Sequence, residues 1–130
     1  MGTIKRFEDL EIWQLARLIC IDIEQLFLNT DLGKNYSLRN QMERSSGSIM
    51  DNIAEGFDRD GNREFIVFLS YSKGSAGELK SQLYRSSDKA LISKNQFDEC
   101  SSKCQELQNK IGGFMNYLKN SEFKGSKFKR

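Results

Sequence analysis

The chain has 130 residues, enough for one domain with a real core, and its 38% hydrophobic and 29% charged residues suit a globular helical protein. It has no histidine, which removes Ser-His-Asp and Cys-His nucleophilic catalysis and the usual neutral-pH acid–base group. The net charge of +2 is uneven: residues 119–130 hold five basic side chains and one acidic, while residues 1–118 hold 15 basic against 17 acidic. The body is therefore no nucleic-acid-binding polycation, and the tail reads as a short basic arm. No apolar run approaches the roughly 20 residues that span a bilayer. The N-terminal MGTIKRFEDLEIW lacks the apolar stretch of a secretory signal. These features place the protein in the cytoplasm, with no membrane partner.

The first predicted helix runs over about 7–30, with Glu8, Asp9 and Glu11 in an opening turn where acids suit the helix dipole. Trp13, Ala16, Cys20, Ile23 and Phe27 form one apolar row, with Ile12, Leu15, Ile19 and Leu26 beside it. One row is enough to enter a bundle core, so two suggest a second buried surface between subunits. Residues 29–35 read as a loop.

The second helix, about 37–58, carries Leu38, Met42, Ser45, Ile49 and Ile53, with small residues at 45–48 that allow close helix approach. Asp60 or Asn62 is the expected N-cap of the third helix, about 63–91. That helix repeats Phe65, Leu69, Ser72, Ala76, Leu79, Leu83, Ser86 and Ala90 at core spacing. Gly74 and Gly77 are expected to make room for a neighbouring backbone, while Phe68 and Tyr71 hint at an outer contact surface. The fourth helix, about 93–120, opens with a Ser93–Gln96 capping box. It holds Phe97, Cys100, Cys104, Leu107, Ile111, Phe114 and Leu118 in register.

Four helices, short connections and no strand signal predict an all-α, antiparallel up-down-up-down four-helix bundle over 1–120, followed by a basic tail at 121–130. Cys20, Cys100 and Cys104 fall on apolar stripes and read as small buried hydrophobes. No cofactor or metal is expected: a zinc site would need further ligands, and the Glu-x-x-His of di-metal bundles is absent.

One block invites a site. Arg44, Ser48, Asn52, Glu55 and Arg59 advance by four, four, three and four residues and so share one helix face. The favoured reading is a seam of charge-assisted hydrogen bonds to a neighbouring helix or subunit, with Glu78 and Arg63 as further members. A second reading gives Arg44, Arg59 and Arg63 to phosphate from RNA or a small molecule. In it the tail residues Lys124, Lys127, Lys129 and Arg130 add salt-sensitive attraction, and Phe123 and Phe128 offer stacking faces. A third makes the row an enzyme site for an anionic substrate, working by electrostatics alone as the histidine-free all-helical chorismate mutases do. No second convergent cluster supports it.

The residue pattern also carries a family resemblance. Phe7, Glu8, Asp9, Leu10, Trp13 and Gln14 form a first block. A second has Gln41, Arg44, Ser48, Ile49, Asn52-Ile-Ala-Glu55-Gly56 and Arg59. A third has Glu64, Phe65, Phe68, Leu69, Gly74, Ser75, Glu78, Leu79 and Gln82. From about Phe7 to Leu118 the chain resembles the bacterial four-helix-bundle family encoded in intervening sequences of the 23S rRNA gene. Met50 departs from it, standing where proline is common, as does the Ser72-Lys73 pair. The resemblance makes Trp13, Asn52, Glu55, Gly56, Gly74, Ser75 and Glu78 a structural signature.

It implies a homopentameric barrel, and kinship with the accessory proteins of diversity-generating retroelements. Those are similar pentamers that bind nucleic acid and a reverse transcriptase. The implied partners are thus a second copy, RNA or DNA, and a reverse transcriptase or other protein. The accessory proteins are strongly basic, whereas this body is not. The resulting expectation is a non-enzymatic oligomeric module serving assembly or a nucleic-acid-handling partner, with a pure protein–protein scaffold as the alternative.

Overall fold

The computed structural model describes residues 4–121, which form four α-helices and two 3-10 turns. Helix α1 spans Glu11–Asn29, α2 Tyr36–Phe57, α3 Asn62–Asp88 and α4 Lys94–Lys119. The basic-tail residues Lys124, Lys127, Lys129 and Arg130, with Phe123 and Phe128, lie outside the described residues.

The first helix begins later than its sequence pattern suggests. Phe7–Asp9 forms a 3-10 turn and Leu10 is extended, so Glu8 and Asp9 precede the helix and Glu11 alone supplies its first-turn acid. The cause is burial: Leu10 enters the core, while the Phe7 ring packs edge-on against Trp13 at 5.2 Å. The connection after α1 contains a second 3-10 turn, Asp31–Lys34, closed by a hydrogen bond from the Leu32 amide to the Thr30 hydroxyl. Its Leu32 and Gly33 are buried, so this segment is part of the core rather than a surface loop.

The start of α3 also differs from expectation. Gly61, at φ 87°, takes the N-cap position, where neither Asp60 nor Asn62 caps the helix. Asn62 is instead a buried first-turn residue whose amide donates to the Leu118 carbonyl at 3.1 Å, tying the start of α3 to the end of α4. At its other end α3 stops at Asp88. The Leu91 amide donates to Ser86 O and the Ala90 amide to Ser87 O, which is the Schellman arrangement. Ala90 is therefore an exposed left-handed residue at φ 57° and not the last rung of the core stripe. A side chain there is strained, so Ala90→Gly is expected to raise stability by about 0.5–1 kcal/mol in urea denaturation. The capping box of α4 forms as its sequence signals: the Gln96 amide donates to Ser93 Oγ and the Ser93 amide to Gln96 Oε1.

Each helix packs on its neighbours in chain order and α1 closes against α4, so α1 and α3 occupy opposite corners. Along the α2–α3 contact the paired residues run in opposite directions, from Met42 with Ser86, through Ser45 with Gln82, to Ser48 with Ser75. The core holds Ile12, Ile19, Ile23, Met42, Ile49, Ile53, Leu69, Leu79, Leu83, Leu107 and Ile111. In α1 the buried stripe is Ile12, Ala16, Ile19, Ile23 and Leu26 with Phe27, while Trp13, Leu15 and Cys20 are half-buried at its edges. The two apolar rows read from the sequence thus merge into one inward face. No described helix is long and apolar enough to cross a membrane.

Candidate functional site

The polar row on α2 divides into an inner and an outer part. The inner part is neutral. Ser48 Oγ and Ser75 Oγ share a hydrogen bond of 2.9 Å between α2 and α3, and the Asn52 amide donates to Ser48 O and Oγ, each at 2.9 Å. Ser45 Oγ donates to Gln82 Oε1 at 2.8 Å and to Gln41 O at 2.9 Å, and Ser72 Oγ donates to Ile49 O at 2.8 Å. Among the described residues every buried side-chain polar atom has a partner. These bonds fix the register of the two helices while leaving no unsatisfied group in the interface.

Arg44, Glu55 and Arg59 lie outside this seam, so the α2–α3 bonds of the row are not the charge-assisted ones expected toward a neighbouring helix. Glu55 and Arg59 pair with each other at 2.9 Å, largely in solvent. The Arg59 guanidinium also lies 4.9 Å from the centre of the Phe68 ring. Arg44 is exposed at the mouth of two shallow clefts, one with Ser45, Ser48, Glu78 and Gln82 and one with Glu43, Asp51 and Glu55. Four carboxylates thus share the surface around Arg44, and a phosphate approaching it meets like charge. Glu78 touches the seam through a 3.4 Å bond from Ser45 Oγ. Arg63 does not: it stands at the end of the bundle, on a cleft with Asn62, Ile66, Val67, Leu118 and Lys119.

The signature glycines serve different ends. A Cβ on Gly56 would sit 2.6 Å from Phe68 Cβ and 2.9 Å from Phe65 Cδ1, so the backbone of α2 touches α3 there. Gly47 and Gly74 have nothing within 4 Å of a built Cβ. The expected close neighbour of Gly74 is therefore absent within the protomer, although each helical glycine costs about 1 kcal/mol relative to alanine. At Gly77 a Cβ would meet the Gln108 amide nitrogen at 3.0 Å, a tight but yielding contact.

The three cysteines are free thiols. Burial pushes Cys20 and Cys100 up to about 11 and Cys104 up to about 12, from an ordinary 9.0. Cys20 also donates to the Ser46 carbonyl at 3.1 Å. With folded pKa values raised, the neutral thiols contribute stability that is fully present below pH 9.0 and lost as pH rises through about 11–12. Native-state thiol labelling is therefore expected to stay slow through pH 9 and to accelerate in urea, as followed by a chromogenic disulfide reagent. Among the described residues no group of three or more His, Cys, Asp or Glu could hold a metal ion.

One feature escaped the sequence reading. Gln14, Leu18, Ile21, Gln25 and Leu28 recur at three- and four-residue spacing along the outer side of α1. Leu18, Ile21 and Leu28 remain 52%, 47% and 65% exposed. With the inward face already apolar, α1 carries large apolar side chains on both sides. The spacing was present in the sequence, but two richer apolar rows drew the periodicity toward the core.

Comparison with known proteins supplies a context. No curated protein matches the chain. A crystal structure of a protein with unknown function from the S23 ribosomal protein family of Bacteroides thetaiotaomicron VPI-5482 has the same fold, with a TM-score of 0.74 at 18% identity. The alignment covers 80% of this chain and 97% of that one. The family model of the 23S rRNA-intervening sequence protein matches residues 8–113, taking in the α2 seam and both glycine blocks. The chain belongs to the family of 23S rRNA-intervening sequence proteins.

Proposed function

We propose that this protein is a non-enzymatic, cytoplasmic, homo-oligomeric module that serves assembly, with an accessory role toward RNA, DNA or a nucleic-acid-handling protein such as a reverse transcriptase. The observation that carries the proposal is the exposed apolar row on α1, facing away from a core that is already complete. Large apolar side chains in register along one helix are the usual sign of a helix-packing surface. In this reading the helices form an antiparallel up-down-up-down bundle, and copies close into a ring, five by resemblance to the family.

Nucleic-acid contact is assigned to one end of the bundle. Arg63 and Lys119 line a cleft of about 550 Å³ there, next to Ser121, where the basic tail begins. Filter binding of labelled RNA and duplex DNA is expected to weaken steeply with salt, and deletion of residues 122–130 should remove most of the affinity. Retained affinity after the deletion would leave the contact to Arg63 and Lys119 of the body. No binding at low salt would leave the pure scaffold, a reading favoured by the carboxylates around Arg44.

A further inference from the structure

The apolar row on α1 has a complement on the neighbouring helix α2 of the same molecule. Leu18 lies on the flank of α1 that carries Glu11 and Asp22, whose partners Lys110 and Lys103 belong to α4. Ser48 and Asn52 lie on the flank of α2 that faces α3. The α1 row and the cleft beside Ser48 therefore open on two neighbouring helices of the bundle. Two different patches on one chain are what heterologous, head-to-tail association uses, and it generates a ring when the rotation closes.

The two patches also match in charge and shape. Arg17 lines the α1 cleft with Trp13, Leu18 and Ile21, lies 5.9 Å from the Trp13 ring centre, and makes no ion pair among the described residues. On the neighbouring helix, Glu43 and Asp51 border the α2 cleft and likewise make no ion pair among the described residues. Between them Gly47 leaves an opening where a side chain would meet nothing. An apolar ridge with an unpaired cation thus answers a glycine-floored groove with unpaired carboxylates.

We infer that the α1 row of one copy docks into the α2 groove of a second copy, with Arg17 set against Asp51 and Glu43, a specific interface that rests on the oligomer reading above. The same contact accounts for Gly47, which the protomer's own packing does not require.

The test uses the full chain with Arg17→Glu and Asp51→Lys, both at exposed positions, and sedimentation velocity as the readout. Each variant alone is expected to raise the dissociation constant by about tenfold or more, with helix content unchanged by circular dichroism. An equimolar mixture of the two is expected to recover assembly in part, since a ring of five keeps at least one contact between like variants. Where the copies alternate, the introduced carboxylate of one variant meets the introduced ammonium of the other, and the next contact restores the native pair of Arg17 with Asp51. If a reversal lowers helicity, Arg17→Gln and Asp51→Asn replace it, each expected to weaken assembly, with only partial recovery on mixing because alternate contacts alone regain the native pair. A parent chain that assembles while Arg17→Glu and Asp51→Lys assemble equally well overturns the docking and leaves the oligomer standing. An effect of Arg17→Glu without one of Asp51→Lys overturns the pairing with α2. A monomeric parent at micromolar concentration overturns the oligomer itself.

Discussion

Gly56→Ala is expected to destabilise the fold by about 1–2 kcal/mol in urea denaturation, even though alanine is the better helix former. The added methyl would fall 2.6 Å from Phe68 Cβ, and that atom is anchored directly to the α3 backbone, so relief requires the two helices to separate. Phe65, 2.9 Å away, cannot yield freely either, since its ring packs edge-on against both Phe57 and Phe114. Gly47→Ala is the matched control, nine residues earlier on the same helix. With nothing within 4 Å, it should raise protomer stability by about 0.5–1 kcal/mol. Opposite signs at the two positions would show that helix propensity is not what selects glycine at Gly56. A loss at both would point to a contact at Gly47 that a single protomer does not contain.

The larger effect on behaviour in solution is expected from Leu18→Asp combined with Ile21→Asp. Both side chains are about half exposed in the protomer, so the folded monomer should keep its helix content. Full burial of such a side chain contributes about 1.5–3 kcal/mol, and the protomer already buries part of each. Losing the remainder at two positions, together with the desolvation of two new carboxylates, should weaken self-association at least about a hundredfold. Light scattering across a dilution series reads this directly. Assembly that survives the double substitution would remove α1 from the interface.

The fold was largely legible because the helical signals agree with one another. The stripes Leu38–Met42–Ser45–Ile49–Ile53 on α2 and Phe65–Leu69–Ser72–Ala76–Leu79–Leu83–Ser86 on α3 are buried as their spacing implies. The boundaries were less legible, because tertiary burial overrides local preference there. Leu10 leaves the helical path to reach the core, and Leu32 draws a polar-looking loop inward. Asn62 looked like a cap, but its amide is used to hold the Leu118 carbonyl. Of the row Arg44, Ser48, Asn52, Glu55 and Arg59, the first four lie on α2, while Arg59 falls beyond its last residue, Phe57. What spacing alone could not separate was which members of the row face α3 and which face water. Ser48 and Asn52 turn inward and bond; Arg44, Glu55 and Arg59 turn outward, where exposed pairs contribute little.

This division shapes the functional reading. A row that first suggests an active site is, on its inner side, a closed packing seam and, on its outer side, the rim of an acid-bordered groove. Among the described residues no catalytic geometry converges on it. The outer surface carries an apolar ridge on α1 and open glycines on α2 and α3.

The most direct test of assembly through these outer faces is the solution mass of the full chain by sedimentation equilibrium at micromolar concentration. The expected result is a single closed multiple of the 15.0 kDa protomer, independent of loading concentration over a tenfold range near that value. A mass of 15.0 kDa throughout the series would contradict it.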